Sequence, residues 1–265
     1  MPQPETSAPP FAYWPTFRRL WITAVLATVT VLPYAFAILK QIPLPKPIPF
    51  SLPVLAGLQL MQSAVIFAAA IAAGLWFAPR LGLRLPLFAR DYEQGKGAET
   101  FGLALRGGIP MGLAAGGLVL VLEFLFFHRN LPPSMLHFSA PLWQGLLASF
   151  YGGIGEEILL RLFVMSALAY VLTRVLRRPA SPLAPGPFWG ANIAAALLFG
   201  LGHLPATAAL APLTTALVLR ALVLNGPLGV MFGYLFWKRN LETAMVAHFM
   251  ADIVIQSAAA VLAGG

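Results

Sequence analysis

Residues 142–176 read LWQGLLASFYGGIGEEILLRLFVMSALAYVLTRVL, a stretch in which only Glu156, Glu157, Arg161 and Arg174 carry charge. A helix crossing a bilayer needs roughly 20 mostly apolar residues, so this run is too long for one perpendicular crossing. It predicts a helix that tilts strongly, breaks around Gly152, Gly153 and Gly155, or leaves the membrane as a basic end. Comparable runs lie on either side, near 20–39, 53–77 and 108–127 before it, and 188–204, 207–224, 226–237 and 241–263 after it. The expected fold is therefore an all-α polytopic transmembrane bundle of about eight helices. The run 226–237 is short and reads as a half-span or as a continuation of the helix before it.

Composition agrees. With 265 residues, 59% hydrophobic, 10% charged and a mean hydropathy of +0.80, the chain has more apolar surface than a soluble fold of this length can cover. There is no cysteine, which excludes disulfides, thiolate nucleophiles and cysteine-ligated metals. Met1 to Phe17 lacks the basic-then-apolar order of a cleavable signal, so the first span reads as a retained anchor. The net charge of +8 comes from Lys and Arg scattered between spans and forming no basic face. That pattern suits membrane orientation and contact with anionic lipid headgroups, not nucleic-acid binding.

Prolines 43, 45, 47, 49 and 53 mark one extended connector, and Pro179 to Pro187 another. The segment Arg80 to Arg106, with Asp91, Glu93, Lys96 and Glu99, is the most polar and is expected at the membrane surface. No internal repeat supports an inverted-repeat transporter. An inner N-terminus gathers Arg18, Arg19, the basic residues of 80–106, Arg174, Arg177 and Arg178 on one side. With eight spans, Lys238 and Arg239 fall on the other. Six tryptophans, Trp14, Trp21, Trp76, Trp143, Trp189 and Trp237, sit near span ends as interfacial anchors. His137 is placed in a solvated loop. Glu123, His128, Arg129 and Arg220 lie near span ends, where snorkelling accounts for them.

An ionisable group within hydrocarbon costs at least about 2.5 kcal/mol on insertion scales. Three spans carry such groups. Glu157 and Arg161 are four apart on one helix face, and Glu156 is rotated by roughly 100° from Glu157. The expected division pairs Glu157 with Arg161 and leaves Glu156 for chemistry. The fifth span carries Phe199 and His203 one turn apart, and the last carries His248 and Asp252 with the same spacing. Singly, an ion pair or a packing histidine explains any of these. Jointly, two histidines and two carboxylates can converge, and that set suits general acid–base catalysis.

The order E-E-x-x-x-R, F-x-x-x-H, H-x-x-x-[ND] on successive hydrophobic helices resembles the CPBP family of CAAX-protease and bacteriocin-processing intramembrane endopeptidases. The resemblance covers roughly 142–263, after a tail at 1–19 and three generic spans over 20–127. It implies an intramembrane endopeptidase in which Glu156 activates water, His203 and His248 orient it or move protons, and Asp252 completes the set. Glu157, Arg161 and Phe199 then support the site. Many members carry asparagine where this chain has Asp252. An ionised aspartate cannot donate to an oxyanion, so Asp252 must be protonated, orient His248, or ligate a metal. The resemblance implies no cofactor. The alternative is zinc held by His203, His248, Glu156 and Asp252, although no H-E-x-x-H helix is present.

The implied substrates are membrane-associated, such as a prenylated tail or a leader peptide, and the expected setting is a prokaryotic cytoplasmic membrane. The rival readings are a non-catalytic scaffold or immunity protein, or a transporter. Under eight spans, the site lies in the half of the bilayer nearest the loop joining the third and fourth spans. Ala148 and Ala244 then face the same side.

Overall fold

Apolar runs this long have one way to satisfy their backbone in lipid, by hydrogen-bonding within their own helices. The computed structural model describes residues 12–42, 49–89, 94–136 and 140–262. The helices are α1 (Tyr13–Gln41), α2 (Leu52–Phe77, extended by a tight turn to Leu81), α3 (Gly97–Leu122, running on to Asn130), α4 (Leu142–Val175), α5 (Pro185–Gly202), the short α6 (Leu204–Leu210), α7 (Thr215–Lys238) and α8 (Leu241–Leu262). A single helical turn at Pro133–Leu136 precedes α4. Among the described residues seven helices are long and apolar enough to cross a membrane, α5 and α6 together forming one of them. The chain is a multi-pass integral membrane protein.

The windows 207–224 and 226–237 are not two spans. α7 runs straight through Asn225, Gly226 and Pro227. Pro227 has no N–H for the Val223 carbonyl one turn back, a loss of a single ladder bond that a membrane helix tolerates, and Asn225 Nδ2 donates within the same helix to Ala221 O at 2.8 Å. With seven crossings, Lys238 and Arg239 return to the side where α1 begins, and the conflict over basic residues disappears. The odd count also reverses α8. Gly145 and Gly153 of α4 face Gln256 and Phe249 of α8, so the two helices run antiparallel. Ala148 and Ala244 therefore lie toward opposite sides, contrary to the eight-span reading.

α4 sits at the centre, against α1, α2, α5, α7 and α8. It does not break at its glycines. Its ladder widens into i→i+5 turns over Tyr151–Glu156 and Ile158–Met165, a form that concentrates at functional sites. α3 packs along α8 through Gly108, Gly112 and Gly116. A Cβ at these positions would meet Val246, Met250 and Val254 Cβ atoms at 2.6 Å. Small residues four apart let two membrane helices approach this closely.

The segment after α2, expected at the membrane surface, is tied to the end of the bundle. Leu83, Leu85 and Ala89 are buried, Arg19 Nη1 donates to Phe88 O at 3.0 Å, and Leu87 N donates to Glu242 Oε1 at 2.7 Å. α3 begins at Gly97, earlier than hydropathy alone predicts, because Glu99 and Arg106 are compatible with a helix that reaches beyond hydrocarbon. Asp91, Glu93 and His137 lie outside the described residues. Trp21 clips α1 to α2, its Nε1 donating to Ala64 O at 2.9 Å. Glu123 and Arg220 pair with each other at 2.8 Å, joining the end of α3 to α7, where the sequence suggested independent snorkelling.

Candidate active site

Glu157 and Arg161 are both fully buried on α4, 3.4 Å apart between Oε2 and Nε. This is the pair expected from their spacing. The Arg161 guanidinium also lies over two rings, 5.3 Å from the centre of Phe199 and 5.8 Å from that of Phe232. Aromatic faces and one carboxylate thus offset the burial of a cation that makes no hydrogen bond.

Glu157 has a second partner that its sequence position did not announce. Its Oε1 stands 2.9 Å from His248 Nδ1 across the α4–α8 contact. A carboxylate only accepts, so Nδ1 carries a hydrogen, and Nε2 is the ring nitrogen left for other partners. That Nε2 faces the remaining acids, 3.7 Å from Glu156 Oε2 and 3.8 Å from Asp252 Oδ1. Neither separation is a hydrogen bond, and each is wide enough for a bridging group. Glu156 and Asp252 keep 27% and 25% of their side-chain surface accessible, whereas Glu157 keeps none. The two adjacent glutamates therefore divide as their helical rotation predicts, one structural and one facing the cleft.

Gly152 makes this geometry possible. A Cβ there would run into Asp252 Oδ2 and lie 3.4 Å from His248 Nε2. The wide turns of α4 bring its backbone close against these two side chains.

His203 ends α5. Its Nδ1 is 2.8 Å from Phe199 O, a carbonyl that can only accept, so Nδ1 donates and Nε2 is left for other partners. Phe199 links the motifs: its ring lies edge-on to His203 at 4.9 Å and to His248 at 5.5 Å, besides facing Arg161. The structure thus brings Glu156, Glu157, Arg161, Phe199, His248 and Asp252 into one cluster. His203 joins it through the Phe199 ring.

Several members were missed by sequence reasoning. Phe232 of α7 stacks on His248 at 4.6 Å and 18°. Tyr34 of α1 hydrogen-bonds to Gln256 and lies within electrostatic reach of Asp252, and Tyr151 stands likewise to Glu156. One phenylalanine among 19 gives no signal. Gln256, one turn beyond Asp252 in an apolar helix, is a polar residue that does.

A metal was the open alternative. Among the described residues no group of three or more His, Asp or Glu side chains is arranged to hold a metal ion.

The family model described as Type II CAAX prenyl endopeptidase Rce1-like matches residues 138–254. Over these residues the chain is similar to that CAAX-protease family. The Rce1-like region contains every member of the three motifs, from Glu156 to Asp252, and begins just ahead of α4. The family is one of proteases, which makes hydrolysis the general activity indicated for the Rce1-like region. No curated protein and no solved structure matches the chain.

Proposed function

We propose that the protein is an intramembrane endopeptidase that cleaves a membrane-associated peptide with a water activated by Glu156. The observation that carries this reading is the arrangement around His248: a buried carboxylate fixes one ring nitrogen and two accessible carboxylates face the other. A purely structural ion pair needs Glu157 and Arg161 alone. It does not need Glu156 and Asp252 beside the same ring nitrogen of His248.

In this reading a water bridges Glu156 and His248. Glu156 takes its proton as the water oxygen bonds to the peptide carbonyl carbon. His248 Nε2 relays the proton to the amide nitrogen, the C–N bond breaks, and the carbonyl re-forms as a carboxylate. Asp252 supplies the countercharge while His248 holds the extra proton. This selects one of the roles open to Asp252, that of orienting and stabilising the imidazole. His203 assists from the end of α5 with its free Nε2. The substrate class, a prenylated tail or another lipid-anchored segment, follows from the family alone.

The test is cleavage of a membrane-anchored peptide library by purified protein. Glu156→Gln is expected to lose activity by at least about 100-fold, the general-base share of the rate, with its melting temperature unchanged. Activity is expected to survive exhaustive chelation. Equal turnover by Glu156→Gln and wild type would remove Glu156 from the mechanism, and one tightly bound zinc per chain would restore the metal alternative.

A further inference from the structure

A second cavity, of about 670 Å³, lies away from His248, where the ends of three spans meet on the side where α1 begins. Its size falls within the range of small-ligand sites. Arg84 reaches it from the segment after α2, Arg106 from α3, and Arg239 from the α7–α8 junction. Leu83, Leu103 and Asn240 help line it. Among the described residues none of the three arginines has a carboxylate partner. The acid closest in sequence, Glu242, turns its Oε1 to the Leu87 and Phe88 amides at 2.7 and 3.4 Å. Three arginines from three elements thus line one cavity, and none of its described lining residues is acidic.

We propose that this cavity binds the phosphate group of an anionic phospholipid. Guanidinium forks match phosphate oxygens, and three of them favour an anion over a zwitterion. The apolar lining selects a lipid over the free ion. Leu103 is 58% exposed and its neighbour Phe101 is 47% exposed, so the cavity rim continues onto surface that faces acyl chains. Gly107 lines the cavity and its Cβ position lies 3.2 Å from Thr243, five residues before His248 on α8. A lipid seated here would bear on the helix that carries two of the site residues.

The experiment is a thermal-shift titration of the full chain in zwitterionic detergent with phosphatidylglycerol, phosphatidylcholine or inorganic phosphate. Phosphatidylglycerol is expected to raise the melting temperature with an apparent affinity at least tenfold above phosphatidylcholine. Removing each arginine is expected to weaken it roughly five-fold, and R84Q/R106Q/R239Q together on the order of 100-fold. A control, R174Q/R177Q/R178Q on the same side, is expected to bind like wild type. If the triple variant does not fold, R106Q alone reads the five-fold loss. Equal loss in the control, or no loss in the variants, overturns the site. An equal response to inorganic phosphate overturns the lipid and leaves a soluble phosphate as ligand.

Discussion

Gly152 is the residue on which the site most depends without taking part in chemistry. Its missing side chain is the space in which Asp252 Oδ2 sits. Gly152→Ala is expected to push Asp252 and His248 apart and cut turnover by at least about 100-fold, because catalytic geometry tolerates little displacement. Cleavage kinetics beside a melting curve would check this; wild-type turnover would mean that Asp252 is free to move. Glu157→Gln is expected to act differently. It strands Arg161 and removes the negative charge facing His248 Nδ1, at about 3 to 5 kcal/mol, so unfolding in mild denaturant should reveal it even where abundance does not. At this scale the sequence was informative about charge and silent about aromatics. Glu156, Glu157 and Arg161 were legible because a charged group in an apolar run demands a partner. Phe232 was not, since a ring that caps an imidazole looks like any other lipid-facing or core residue.

Among elements, α3 and α8 form the most extensive pair, and the α3 glycines at 108, 112 and 116 set their separation. Gly112→Leu is expected to lower the melting temperature sharply, since a side chain there meets Ala247 O and Met250 Cβ. Gly117→Ala, one residue beyond this face with nothing nearby, should leave it within experimental error. Equal melting of the two variants would show that the helices are not in close contact. The small-residue spacing was present in the sequence, but the apolar run around it concealed which face met which partner. Helix existence was legible throughout from length and hydropathy. Continuity was not: Asn225-Gly226-Pro227 reads as a break in water, yet in a membrane the loss of one ladder bond at Pro227 is tolerated and α7 runs on. The glycines of α4 admitted a break as one of three readings of that run, and the helix widens there instead.

For the whole molecule, that one continuous helix decides the topology. Seven crossings put the start of α1 and the end of α8 on opposite sides and gather most of the described basic residues on one. The absence of native cysteine makes this easy to test. Single cysteines at Pro179 and Lys238 are expected to react with an impermeant thiol reagent from the same side, and those at Gln41 and Asn130 from the other. Lys238 labelling together with Asn130 would restore an eighth crossing.

The same asymmetry has an electrical meaning. Of the described basic side chains outside the core, eleven stand toward the end where α1 begins and only Lys40, Arg129 and Arg220 toward the other, a difference of eight. Each elementary charge carried across 100 mV involves about 2.3 kcal/mol, so inverted insertion against a potential negative on the basic side would cost roughly 18 kcal/mol more. A resting potential of that sign therefore acts as a lock on orientation during biogenesis. A membrane held at zero potential removes the lock and leaves headgroup attraction alone to choose which way the bundle faces.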